Sequence, residues 1–249
     1  MPDSPPPPNR FAATRWTLVA AASGDSPAAR AALSELCAAY YAPVVAFLQR
    51  EGRTVDEARD LAHDFFARIL QGGKMEAADP ALGRFRSYLL GALKHFLQHD
   101  HRRRAAECRG AHLEHIPLQL PTDTTAGFDV AAPEDRGLDF VFDRQWALTV
   151  LDRAMTAVGA EMERLGKRSH FEAMQPWLSG DVPGVSQMEL AARIGLSAGA
   201  IKVAIHRLRK RFRDQVLAEI AQTVGGGESE VRQELNYLIE VMGAGEREI

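Results

Sequence analysis

The stretch SQMELAARIGLSAGAIKVAIHRLRKRFR at residues 186–213 constrains this chain most, because it specifies both ends of a helix, a turn, and the start of a second helix. Ser186 and Glu189 have capping-box spacing, in which each residue satisfies a backbone N–H of the other at a helix start. Leu190, Ala191 and Ile194 supply the inner face of that helix. Gly195 offers the permissive backbone that a turn needs, Leu196 is placed to plug the core, and Ser197 is placed to cap the second helix. Ile201, Ile205, Leu208 and Phe212 then recur at steps of four, three and four, so one face of the second helix is buried and the rest faces outward.

That outward face is cationic. Arg193, Lys202, Arg207, Arg209, Lys210, Arg211 and Arg213 occur with no acidic residue between 193 and 213, in a chain of formal net charge −3. Such a concentration is the electrostatic footprint of phosphate contact. A basic amphipathic helix alone serves equally as a solvated surface or a partner-binding helix. The capped helix before it and the Gly-Leu-Ser turn tip the reading to a helix-turn-helix, which projects the start of its second helix into a major groove. On that phase Gly199, Ala200, Lys202, Val203, His206 and Arg207 face the groove, with Arg209, Lys210 and Arg211 nearer the backbone.

Elsewhere the apolar spacing is helical and no stretch alternates as a strand does. The expectation is an all-α chain of two helical domains joined by an irregular linker, the C-terminal one a helix-turn-helix. Helical spacing covers 14–22, 27–50, 55–70 and 84–104, and the Gly- and Pro-bearing stretch 71–83 reads as a loop between packed helices. The proline-rich start, 1–12, reads as a disordered arm. The first domain is expected over 13–110, a polar linker over 111–138, the second domain over 139–224, and a helical extension over 225–249 after three glycines. Nothing resembles a membrane span or a leader sequence. Two cysteines, Cys37 and Cys108, are too few for a disulfide framework, so a reducing, cytoplasmic setting is expected, with Cys37 a small buried hydrophobe.

A second basic surface lies in the first domain. Arg84, Arg86, Lys94, Arg102, Arg103, Arg104 and Arg109 face only Asp100 and Glu107, interleaved with Phe85, Tyr88, Phe96, His95, His99 and His101. Rings among cations suit unstacked bases, although Phe96 fits the core at helical spacing. The helix 55–70 is instead acidic, with Asp56, Glu57, Asp60 and Asp64 against Arg59 and Arg68, which suggests a protein partner. The segment 214–249 is acidic too, and its apolar stripe of Val231, Leu235, Leu238 and Ile239 suits either a regulatory tail folded on the helix-turn-helix or a helix completing the core of that domain.

The sequences VDEARDLAHDFFARIL and GRFRSYLLGALKHFLQHDHRRR resemble the second conserved region of bacterial RNA polymerase sigma factors of the extracytoplasmic-function group, and residues 186–213 resemble their fourth region. The resemblance covers 14–104 and 155–224, in the family's order. It implies a non-enzymatic subunit, without cofactor or metal, that binds the clamp region of core RNA polymerase and recognises promoter DNA in double-stranded and melted form. An anti-sigma factor is a further partner the resemblance admits, and no membrane insertion is implied. By resemblance, Asp60, Asp64, Phe65 and Arg68 grip the polymerase. The minus-ten element falls to Lys74, Arg84, Phe85, Arg86, Tyr88, Lys94, His95, Arg102 and Arg103. The minus-thirty-five element falls to Ser197, Gly199, Ala200, Lys202, Val203, His206, Arg207, Arg209, Lys210 and Arg211. Ala204, Val203, His95 and Phe96 depart from residues common in the family, so the promoter sequence is not inherited.

Two other readings compete. One is a helix-turn-helix regulator with an N-terminal sensor or dimerisation domain. The other is a metal-dependent phosphohydrolase built on the doublets His63-Asp64 and His99-Asp100. Cys108, His112 and His115 have ligand spacing on a helix, without a clear fourth ligand.

Overall fold

The computed structural model describes residues 27–71, 84–107, 133–180, 183–224 and 227–244, and every regular element among them is helical. In chain order these are α1 (Pro27–Arg50), α2 (Val55–Gln71), α3 (Phe85–Glu107), α4 (Pro133–Arg164), α5 (Arg168–Met174), a 3₁₀ turn (Gln175–Leu178), α6 (Gln187–Ile194), α7 (Ala198–Ala221) and α8 (Glu228–Ala244). The expected arm 1–12, helix 14–22 and loop 72–83 with Lys74 lie outside the described residues, as do Cys108, His112 and His115.

Local chemistry sets the helix ends. At the start of α2, the Thr54 backbone N–H donates to the Glu57 carboxylate at 2.9 Å, and the Glu57 N–H donates to the Thr54 hydroxyl at 3.3 Å. This reciprocal pair satisfies two donors that a helix start would otherwise strand. α1 ends with Gly52 at φ 89°, where the Gly52 N–H donates to the Gln49 carbonyl and the Arg53 N–H to the Leu48 carbonyl. Those two bonds make a Schellman cap, and only glycine takes the left-handed backbone there without strain. α4 opens at Pro133, so the helix begins inside the segment expected to be linker through 138. Proline suits that first position because its missing N–H would have had no helical partner.

The described chain divides into two compact units. The first comprises residues to Thr149 together with those from Ala221 onward, and the second comprises Val150–Ile220. The boundary therefore falls within α4 rather than at the polar stretch, and α8 belongs to the first unit. An aromatic cluster centres the first unit: the Tyr40 and Trp146 rings stack with centroids 4.1 Å apart, and Phe85 meets Tyr40 edge-on at 5.2 Å. Phe142 and Phe47 are buried beside them, and Phe65 and Phe96 are buried against each other. Residues 30–50 of α1 are long and apolar enough to cross a membrane by length and composition, contrary to the sequence expectation. In the fold, Leu36, Tyr40, Val44, Phe47 and Leu48 of that helix are core residues. Cys37 is buried as expected, and burial pushes its thiol up to about 12.

Charge is buried in the first unit as well. Arg86 is enclosed by Asp143 of α4 and Glu234 of α8, with its Nε 3.0 Å from the Glu234 carboxylate. The Tyr237 hydroxyl donates to Asp143, and its ring lies 4.7 Å from the Arg86 guanidinium. Burial alone would lower the Arg86 pKa, but the two carboxylates outweigh it and hold the guanidinium charged. α8 thus buries Val231, Glu234, Leu238 and Val241, whereas Ile239 of the expected stripe is 59% exposed.

The second unit packs Val158 and Met162 of α4 with Phe171, Met174 and Trp177, and closes over Leu190, Ala191, Ile201, Ile205 and Leu208. Gly159 permits the close approach of Phe171, whose ring carbon would lie 3.1 Å from a Cβ added there.

Candidate nucleic-acid interface

In the second unit, α6 begins with the anticipated reciprocal cap. The Glu189 N–H donates to the Ser186 hydroxyl at 3.1 Å, and the Ser186 N–H donates to the Glu189 carboxylate at 2.8 Å. Those bonds hold the Glu189 carboxyl below its ordinary pKa. The helix ends at Gly195, with φ 71°, where the Leu196 N–H donates to the Ala191 carbonyl at 2.9 Å. That bond turns the chain back so that half-buried Leu196 packs on the core. Ser197 then caps α7, accepting from the Ala200 N–H at 3.2 Å.

The burial pattern of α7 results from this entry. Ile201, Ile205 and Leu208 are buried, while Ser197, Gly199, Ala200, Lys202, Val203, His206, Arg207 and Lys210 are exposed. Val203 is 48% exposed and Met188 of α6 is 71% exposed, so apolar surface lies among the cations. The result is an exposed edge of small residues, three cations and a histidine.

Arg209 and Arg211 behave otherwise. The Arg209 guanidinium donates to the Trp177 carbonyl at 2.9 Å and to the Gly180 carbonyl at 3.1 Å. It thereby satisfies carbonyls left open at the end of the 3₁₀ turn, and its role is to anchor α7 to that turn. Arg211 donates to Glu161 of α4 at 2.6 Å, which neutralises it. Both were expected to meet phosphate; Arg209 bonds two backbone carbonyls, and Arg211, about 41% exposed, pairs with Glu161 at the surface.

The basic helix α3 departs further from expectation. Phe85 is wholly buried against Tyr40. Arg86 is in the buried cluster, and the Arg84 Nε lies 2.9 Å from the Glu234 carboxylate. Lys94 pairs with Asp139 at 2.8 Å, and Arg103 with Asp100 at 3.0 Å. Tyr88 is half-buried beside Phe85, and burial raises its hydroxyl pKa to about 12. His95 is half-buried and Arg102 is exposed. Arg84, Arg86 and Lys94 share one physical reason: acids distant in sequence cover cations that look unopposed locally.

On α2, Asp60 and Asp64 are exposed. Phe65 is not, being fully buried against Phe66 and Phe96, so it belongs to the core. Arg68 lies over the Phe96 ring at 5.0 Å, shielding that core. His63 hydrogen-bonds the Tyr41 hydroxyl at 3.1 Å, and Asp100 takes both Arg103 and Arg104. Among the described residues no three His, Cys, Asp or Glu side chains converge as a metal site would require. The His-Asp doublets therefore do not meet.

Sequence reasoning missed the Arg86–Asp143–Glu234–Tyr237 cluster. Its one visible signal was a glutamate, Glu234, in phase with the buried positions Val231, Leu238 and Val241 of α8. No family model, no curated protein and no solved structure matches this chain.

Proposed function

We propose that this chain is a DNA-binding transcription factor whose α6–α7 pair is a helix-turn-helix, and that it serves as a sigma factor of the extracytoplasmic-function group. The observation that carries the reading is the exposed edge of α7, where Lys202, Val203, His206 and Arg207 stand clear of the buried face of Ile201, Ile205 and Leu208. In this reading the N-terminal half of α7 enters the major groove of the minus-thirty-five element, and Lys210 meets a flanking phosphate. The exposed acids Asp60 and Asp64 meet the polymerase clamp. The polymerase performs the chemistry, and this subunit supplies recognition.

The test is transcription in vitro with core polymerase and a promoter pool, for the chain and for Arg207→Ala. A base-edge contact is worth about 1–3 kcal/mol, so the variant should relax preference at one upstream position. Uniform weakening on every sequence would make Arg207 a phosphate contact instead, and absence of any promoter-directed transcript would refute the sigma reading.

One observation favours a second reading. Arg84, Phe85 and Arg86, assigned by resemblance to strand capture, are engaged within the protein. A helix-turn-helix regulator that binds duplex DNA and never joins the polymerase needs none of them. Co-purification with core polymerase separates the two.

A further inference from the structure

Val203 is the only large apolar side chain of α7 that is exposed, at 48%. Single exposed apolar residues are common on protein surfaces and need no ligand, but this one stands in a particular setting. Its neighbours one turn away are Gly199 and Ala200 on the N-terminal side and His206 and Arg207 on the C-terminal side, and all four are exposed. Side chains on a helix lean toward its N-terminus, so the Val203 isopropyl group lies over the turn of Gly199 and Ala200. Neither has a side chain long enough to cover it.

Packing within the second unit accounts for neither choice. A Cβ added at Gly199 would meet nothing within 4 Å, and Gly199 is not among the glycines with positive φ. Glycine and the β-branched valine both favour a helix less than alanine does. Val203 recovers little of that cost, since about half of its surface is in water. Close contact with a second surface explains both residues: glycine and alanine let that surface approach the helix, and the branched apolar group beside them reaches it.

Base edges in a major groove present hydrogen-bond donors and acceptors and one apolar group, the 5-methyl of thymine. An isopropyl group set against any other base edge strips water from polar atoms and gives no hydrogen bond in return. Against the thymine methyl it buries apolar surface on both sides. We infer, on the reading of α7 as a groove-entering helix, that Val203 is a specificity-determining residue that reads one thymine of the DNA site through its 5-methyl group.

Deoxyuridine tests this, because it pairs as thymidine does and lacks only the methyl group. Selection from a random duplex pool by the full chain, alone and with core polymerase, gives the preferred site. Titrations then compare duplexes of that site with deoxyuridine at each thymine in turn, on either strand. For the parent, one such replacement should weaken binding by about fourfold, the worth of one buried methyl group. Val203→Ala should bind the thymine and uracil forms of that duplex equally, with no fall in Tm, because position 203 is exposed. Arg213→Gln, which removes an exposed cation farther along α7, should keep the parent's ratio. A site at which no deoxyuridine weakens binding would overturn the inference, as would a ratio that persists in Val203→Ala or that Arg213→Gln abolishes as well. Val203→Ala binding no duplex would also overturn it, since one methyl contact does not account for such a loss. If no sequence is preferred, alone or with core polymerase, the helix-turn-helix reading itself fails and Val203 with it; a preferred site without sensitivity to deoxyuridine removes only the role of Val203.

Discussion

Replacing Glu234 should unfasten α8 from the first unit. The Glu234 carboxylate is buried and spans two cations, Arg84 at 2.9 Å and Arg86 at 3.0 Å, while Arg86 also holds Asp143. Glu234→Gln keeps the shape and one acceptor but removes the charge. Arg86 retains Asp143, and Arg84, about a third exposed, can turn to water. The expected cost is therefore at the low end for breaking a buried ion pair, about 3 kcal/mol. For a unit of this size that is a fall in Tm of roughly 6–12 °C. Arg86→Met should cost more, about 5 kcal/mol, because it leaves Asp143 buried without a cation and Glu234 with Arg84 alone. Glu240→Gln, at an exposed position of the same helix, should stay within about 0.5 kcal/mol. Thermal unfolding followed by circular dichroism measures the order, and hydrogen exchange over residues 228–244 locates the loss. A Tm for Glu234→Gln within about 1 °C of the parent, or a smaller loss for Arg86→Met than for Glu234→Gln, would refute the view that the cluster holds α8 in place.

Arg209→Ala should destabilise the second unit by about 1.5–3 kcal/mol, since it strips a charged donor from the Trp177 and Gly180 carbonyls, while DNA sequence preference per folded molecule stays constant; denaturant titration and a binding-site selection measure the two. The Glu189 pKa is lowered in the fold by its bonds to Ser186, so its contribution is full above the usual value of 4.5 and is lost as pH falls through the lowered one. Hydrogen exchange in the first turn of α6 should therefore accelerate below that point, and Glu189→Gln should abolish the pH dependence, whereas Ser186→Ala, which keeps the Ser186 N–H, should only reduce it. Asp60→Lys with Asp64→Lys should remove binding to core polymerase without lowering Tm, because both positions are exposed; unchanged co-purification would remove α2 from the polymerase interface.

The helices were legible because their ends are written locally. The reciprocal cap at Ser186, the left-handed Gly195 and the buried steps Ile201, Ile205 and Leu208 each depend on residues within four positions of one another, and each is found where the sequence places it. α1 likewise runs over the expected 27–50, since an apolar face and a following glycine suffice to bound it. The start of α4 was not legible, because the polar residues after Pro133 hide the helix until Leu138 and Phe142 restore the apolar face.

Which charges remain available to a ligand is a different question, since an ion pair can join residues far apart in the chain. Arg86 has no acid within its own helical turn, and locally it looks as open as Arg207. Its partners lie 57 and 148 residues away. The acidity of the C-terminal segment suggested a regulatory tail folded on the helix-turn-helix, yet its buried acid, Glu234, answers Arg86 of α3 and Arg84 just before that helix. The neighbours of Arg207 give the contrast: one turn on either side stand Val203, Ala204, Lys210 and Arg211, and the one acid pairing in that group, Glu161, goes to Arg211. Arg207 and Lys202 stay exposed because the buried face of α7 points them away from the core and no acid among residues 193–213 can reach them. A run of cations therefore stays available to a ligand only where the buried face of the same helix fixes its direction, and α7 meets that condition. The first half of α3 does not, because Arg86 and Lys94 become the counter-charges of acids on neighbouring elements.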